Sequence, residues 1–434
     1  MTRAYDVVVI GSGIGGMCAA ARLARAGHRT LVVEKLPRLG GRCSTIDYKG
    51  YKLTTGAILV NCGDVLEQTF VDVDAEFPVR RSPSRAIYRI RGRDYDLPAK
   101  GGLRALAEIA AQDQEATERL WQPMRRALRG EERPPAISVR SWIAGYTDNQ
   151  GIQDLFQVII AAFMGINSDE ALAPDYFDYL KVMAGAVAHG YAPHGSRSLV
   201  ESLARAVRRD GGEIWTETRA TQIVVEDGLA RGVVVERKGQ PVTIEAKTVV
   251  SDAGPKRTVE LAGAEHFDDK YLQLIEKRLL PAGCIVTFTA SDQPLMETAG
   301  PLMPTGTRRV CLLCTPTLVC PELAPPGKHL LEAIGTLGAS HGPVDMNQEI
   351  ELHLQDLRDT IPGYGEKGEL LMVSSYRDDW PEYRSWPGRD LPQKTPIPNL
   401  YNVGDGVKPD GWPGLSASAE SARLVVEELH ASGT

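Results

Sequence analysis

Residues 5–43, YDVVVIGSGIGGMCAAARLARAGHRTLVVEKLPRLGGRC, constrain this chain more than any other stretch. β-Formers at 7–10 run straight into Gly11-Ser12-Gly13-Ile14-Gly15-Gly16. A helical pattern follows, with small and apolar residues at Met17, Ala20, Ala21, Leu23 and Ala24. Gly27 stops it, and a second apolar strand at 30–33 ends on Glu34. Strand, glycines, helix, strand and acid, in that order, predict a βαβ unit that cradles a dinucleotide. Gly11 permits the tight turn, Gly13 lets a pyrophosphate approach the backbone, and Gly16 lets helix and strand pack closely. The helix N-terminus around Ile14 and Gly15 offers free N–H groups and partial positive charge to the phosphates. Glu34, with Lys35 beside it, stands where a carboxylate accepts from ribose hydroxyls.

The same glycine spacing recurs at Gly363-Tyr364-Gly365-Glu366-Lys367-Gly368. There a helical pattern and Pro362 come first and a strand-like 370–374 follows. Helix-turn-strand is the wrong order for a phosphate cradle, so a turn is expected.

Gly40-Gly41-Arg42, just past the acid, resembles the GGR extension of the flavoprotein family of amine oxidases and carotenoid (phytoene) desaturases. In that family the glycine pair brings backbone to the pyrophosphate and the arginine braces it, as suits a guanidinium fork. The resemblance implies an α/β fold: a Rossmann-type FAD-binding domain (GR2-like) with an inserted mixed α+β substrate domain. The implied FAD-binding domain comprises 1–75, 190–262 and 392–434, and the substrate domain 76–189 and 263–391. Gly56 and Ala57, followed by Ile58, match a family segment whose backbone N–H groups face the flavin ring edge. Thr54 and Thr55 stand where the family usually has an acid. A strand beside Ala220 is implied to present backbone to the adenine.

Residues 395–405, TPIPNLYNVGD, run into Gly411-Trp412-Pro413-Gly414-Leu415 and a closing helix. They resemble the family's C-terminal segment, where Gly404-Asp405 would meet the ribityl and phosphate groups. The helix start at Pro413 and Gly414 would favour negative charge at the N1–C2 edge of the flavin. Trp412 is expected as an aromatic wall over the ring and a candidate catalytic residue, with Trp380 and Trp386 as candidates for a second wall. No cysteine or histidine sits in a flavin-attachment context, so FAD is expected to be non-covalent.

Of 434 residues, 43% are hydrophobic and 24% charged, the profile of a globular chain. A net charge of −7 gives no reason to expect nucleic acid. Seven cysteines, an odd number in a long chain, argue for a reducing compartment rather than a disulfide framework. The N-terminus shows no secretory pattern, and no stretch approaches the ~20 apolar residues of a spanning helix. A cytoplasmic protein is expected, with peripheral membrane contact left open.

Residues 80–97 hold six arginines around an alternating pattern at 87–90 that turns at Arg91-Gly92. They predict a β-hairpin whose arginines are solvated, or which roofs a substrate cavity. Residues 102–188 are helical in pattern. Residues 189–198, HGYAPHGSRS, lead into a helix at 199–208, and strand-like runs continue to 251. Of the two histidines, His194 is taken as the candidate acid–base group, because the family's matching segment approaches the active site. Cys311, Cys314 and Cys320 read as buried core, so no metal site is expected.

The constellation implies an FAD-dependent oxidoreductase. Desaturation of a C–C bond in a hydrophobic or cyclic small molecule leads, from similarity at 190–200 and 395–405 to phytoene desaturase-like proteins. Amine oxidation is the alternative, favoured by Trp412. A redox-neutral isomerase or saturase, and a flavin-free carrier like the prenyl-protein dissociation inhibitors, complete the set. Oxygen, a quinone or another carrier would take the electrons. Substrate and oligomeric state stay open.

Overall fold

The structure is a computed structural model and describes residues 3–84, 86–96, 102–183 and 188–432. It begins as the opening residues demand. Strand β1 (Arg3–Ile10) leads through the glycines to helix α1 (Ile14–Arg25) and strand β2 (Thr30–Val33). Residues 7–10 and 30–33 are all buried, as a parallel strand covered on both faces requires. Gly27 ends α1 with φ +90°, and the N–H groups of Gly27 and His28 reach back to Ala24 and Leu23.

A seven-stranded sheet grows from this unit in the order Glu213–Trp215, β2, β1, Gln240–Ser251, Leu229–Arg237, Thr218–Glu226. Leu400–Asn402 pairs parallel with the end of Gln240–Ser251. Helix α1, Arg197–Arg209 and Gly414–Ala431 cover one face with Leu23, Leu203 and Val425. Pro255–Ala262 and Asp269–Arg278 close the other through Val259, Tyr271 and Ile275. The alanines of α1 are fully buried because the helix is wedged between the sheet and two other helices.

A second seven-stranded sheet runs Glu369–Tyr376, Cys284–Ser291, His329–Thr336, Val310–Cys314, Leu302–Pro304, Ile87–Ile90, Arg93–Asp96. Helices Gly102–Ala111, Gln114–Leu128, Gln150–Met164 and Ala173–Met183 belong to the large core over one face. Met346–Thr360 packs on the other through Leu357. Cys311 and Cys314 lie buried within this sheet. No helix among the described residues is long and apolar enough to cross a membrane.

The hairpin at 87–96 forms on Arg91 (φ 52°) and Gly92 (φ 77°), a left-handed pair suited to a two-residue turn. It does not roof a cavity: it is the sheet edge. Arg80, Arg81 and Arg89 pair with Glu322, Glu67 and Asp94; Arg85 lies outside the described residues. Residues 364–367 form one helical turn ahead of Glu369–Tyr376, the helix-then-strand order expected there. Residues 189–198 do lead into a helix, Arg197–Arg209, but their first part also forms a strand, Ala188–Tyr191, between Val60–Cys62 and Arg80–Arg81. Its pairing partners are distant in sequence, so no local pattern announces it.

Candidate active site

One cavity of about 970 Å³ extends from the carboxyl end of the first sheet to the second sheet. Its lower half is lined by Gly11, Gly13, Ile14, Gly15, Glu34, Lys35, Gly41, Arg42, Ala220, Gly404 and Asp405. Gly56, Ala57, Ile58, Pro413 and Gly414 stand in the same wall. Gly16 is buried outside the lining. A Cβ there would meet the Gly11 carbonyl at 2.5 Å, so its glycine serves helix–strand packing.

Local chemistry fixes each group. Gly11 takes φ +97° to turn the chain, and a Cβ on Gly15 would sit 2.9 Å from the Gly404 nitrogen. The two ends of the chain therefore meet backbone to backbone. Glu34 Oε2 accepts from the Ser12 N–H at 3.0 Å and the Ser12 hydroxyl at 2.6 Å, and Oε1 accepts from the Leu36 N–H at 2.8 Å. The carboxylate is thus oriented at the end of β2, where a ribose would reach it.

Arg42 and Asp405, read separately from sequence, form one unit. Arg42 Nη1 and Nη2 donate to the two Asp405 oxygens at 2.8 and 2.6 Å, and Nη1 also donates to the carbonyls of Pro381 and Glu382 at 3.0 Å. Burial pushes the Asp405 carboxyl up, but Arg42, Arg384 and Lys408 outweigh it and hold the group well below the usual range. The Ala57 N–H, expected to face the flavin, donates to the Arg42 carbonyl at 3.1 Å.

The upper half is a chamber. Phe163, Tyr179, Tyr376, Trp380 and Tyr383 wall it with Val286, Leu312 and Ile334; His189 and Cys284 also face it. Glu382 is its half-buried carboxyl, and Asp378 and Asp379 are exposed at the rim. The Glu382 Oε2 atom is buried without a hydrogen-bond partner, and burial, outweighing the Cys284 thiol and the Arg42 charge that reach the carboxyl, pushes the acid up to about 7. Residues 380–384 strap the two sheets together: Ala282 N–H donates to the Tyr383 carbonyl, and Arg384 N–H to Asp405 Oδ2, both at 2.9 Å.

Two candidates stand elsewhere. Trp412 faces a neighbouring cleft of about 220 Å³ with Val182, Met183 and Asp64, because the turn before Gly414 directs it outward. His194 is exposed on the loop before Arg197–Arg209 and lines neither cavity, whereas His189 does line the chamber, stacked on Phe163 at 6.3 Å. Trp380 is in the wall, but Trp386 lies under the Arg389 guanidinium, 5.6 Å away. Sequence reasoning missed Asp252, Glu382 and Tyr383. Asp252 was legible in principle, since it follows the carboxyl end of a strand parallel to β1, where such folds bind ligands.

A glycine cradle at a helix N-terminus, an oriented acid on the second strand and a chamber beyond them define a dinucleotide-dependent oxidoreductase. The chain belongs to the flavin-containing amine oxidoreductase family, whose profile matches residues 14–430. It is 24% identical over 429 residues to an uncharacterized protein of Methanocaldococcus jannaschii, covering 97% of this chain and 98% of that one. It is also 24% identical to a lycopene-forming phytoene desaturase of Pseudescherichia vulneris, over 97% of this chain and 99% of that protein. Among solved structures, an oxidoreductase from Methanosarcina mazei superposes with a TM-score of 0.87 at 28% identity, covering 97% and 99% of the two chains. The protein is an FAD-dependent oxidoreductase. The cradle, open only because Gly13, Gly15 and Gly404 carry no side chain, fits that cofactor.

Proposed function

We propose that the protein dehydrogenates a C–C bond of a compact, largely apolar substrate. One observation carries this reading: the dinucleotide cradle opens into a chamber of apolar and aromatic side chains with one half-buried carboxyl, Glu382. FAD, when bound, supplies the hydride acceptor. The chain's own part is to hold the substrate against the cofactor, exclude water and receive the second hydrogen as a proton. Glu382 suits that last task, with a free oxygen in the wall and an acidity set near neutrality by burial. Phe163, Tyr179 and Tyr376 would hold flat apolar surface. The whole cavity is of the size of sites for drug-sized ligands, ~300–1,000 Å³, and it must hold cofactor as well as substrate. A long polyene does not suit it.

Amine oxidation is the second reading, supported by the aromatic faces of Trp380 and Tyr383 in the wall. Anaerobic bleaching of the yellow holoprotein by saturated cyclic ketones and apolar alkenes, against a panel of amines, separates the two. Bleaching by amines alone would overturn the first, and aerobic reoxidation against quinone addition would identify the acceptor. A colourless protein that takes up no flavin would end both.

A further inference from the structure

Five glycines of the cradle share one neighbour. A Cβ on Gly13 would run into Asp252 Oδ2, and one on Gly404 would stand 2.7 Å from Oδ1. On Gly15 it would lie 3.0 Å from Oδ1, on Gly16 3.0 Å from the Asp252 Cβ, and on Gly11 3.4 Å from the same atom. Asp252 directly follows the strand Gln240–Ser251, which runs parallel to β1, and the Asp252 N–H donates to the Ile10 carbonyl at 2.8 Å. The backbone is therefore fixed, and the carboxyl is aimed between the glycine loop and Gly404. It also takes the N–H of Gly16, one of the free donors of the α1 N-terminus. This gap is where the fold receives a diphosphate.

A carboxylate there would face anionic oxygens. Of the two guanidiniums that act on it, Arg42 has its fork committed to Asp405 and two carbonyls, and Arg384, the stronger of the two, also stands 3.7 Å from the Asp405 carboxylate that shares it. We propose that Asp252 is part of the dinucleotide site and binds the cofactor in its protonated form, the carboxyl hydroxyl donating to a phosphate oxygen. The inference rests on FAD being the cofactor.

The charged and titratable groups facing Asp252 are Cys18 from α1, Arg42 from the glycine pair, Arg384 from the strap and Asp405 from the C-terminal turn. Burial pushes the Cys18 thiol far up, so it stays neutral; Asp405 is held low and stays ionised against Arg42. Burial raises Asp252 to about 7, against the pull of Arg384 and the Gly16 N–H. Asp252 is thus the member of this group that titrates near neutrality, and binding draws its proton from solvent.

The test uses the full chain stripped of flavin and titrated with FAD from about pH 6 to about pH 9. Flavin fluorescence gives the affinity, and calorimetry in two buffers of different ionisation heat counts protons. Affinity should be level below about pH 7 and fall about tenfold per pH unit above it, with about one proton taken up. Asp252→Asn should bind with no proton uptake and a flat profile; Asp252→Ser, smaller and also neutral, should do the same and covers the case in which the amide disturbs folding. A wild-type chain that takes up no proton, or a neutral variant that keeps the wild-type pH profile, overturns the inference while leaving the cofactor assignment intact. No FAD uptake at any pH would instead overturn the functional reading.

Discussion

Arg42 grips Asp405 with both arms of its guanidinium at 2.8 and 2.6 Å, although 363 residues separate them. The pair closes the floor of the cavity, and through the carbonyls of Pro381 and Glu382 it also anchors the strap that carries the chamber's acid. Both side chains are mostly buried, 22% and 10% exposed, so removing either leaves a buried charge without its bidentate partner. Arg42→Ala should lower stability by about 3–5 kcal/mol and lose most bound flavin. The double variant with Asp405→Asn should lose less than the sum of the singles, read as denaturation midpoints in a double-mutant cycle. Additive losses would mean that the pair is not a unit.

Glu382→Gln should keep its flavin and its thermal midpoint, yet reduce the flavin about 10²–10⁴-fold more slowly with whichever compound bleaches the wild type. Glu382→Asp should recover part of the rate. Unchanged reduction by the glutamine variant would remove Glu382 from the reaction.

Gly165 ends Gln150–Met164 with φ +68°, and a Cβ there would lie 2.6 Å from the Tyr383 ring and 3.1 Å from the Glu382 carboxyl carbon. Gly165→Ala should therefore cost about 1–3 kcal/mol and weaken substrate more than flavin binding. Equal losses in both would argue against a chamber effect.

Replacing Trp412 tests a placement. It faces the neighbouring cleft, so Trp412→Ala should alter substrate-dependent bleaching less than Trp380→Ala or Tyr383→Phe. The reverse ranking would return Trp412 to the reacting centre.

Glu332 is 2% exposed on His329–Thr336, between Phe288 and Cys314 in register. Burial raises its acid to about 8. The unfolded chain ionises this group first, so between about 4.5 and about 8 the folded state binds more protons and stability falls as pH rises. Glu332→Gln should flatten part of that fall, gaining about 2–4 kcal/mol over wild type near pH 9 in urea midpoints. An unchanged pH slope would refute it.

The cofactor half of the molecule was legible because its signals are local and ordered. The run from β1 to Glu34 states strand, turn, helix, strand and acid within 30 residues, each dictated by periodicity or by a glycine that tolerates positive φ. The C-terminal Gly404-Asp405 was legible by resemblance. Even there, the linear reading missed that Arg42 spends its fork on Asp405 and that Asp252 stands in the glycine cradle.

What the sequence determined alone is the existence and order of the dinucleotide unit, since backbone geometry and helix-end charge are properties of neighbours in the chain. Tertiary structure decided which side chains share the chamber. His189 rather than His194 faces it, Trp380 rather than Trp412 walls it, and Glu382 holds its free carboxyl oxygen. Those outcomes depend on contacts between distant segments, the strap on Ala282 and the strand at 188–191 on Val60–Cys62, which no periodicity within either partner encodes.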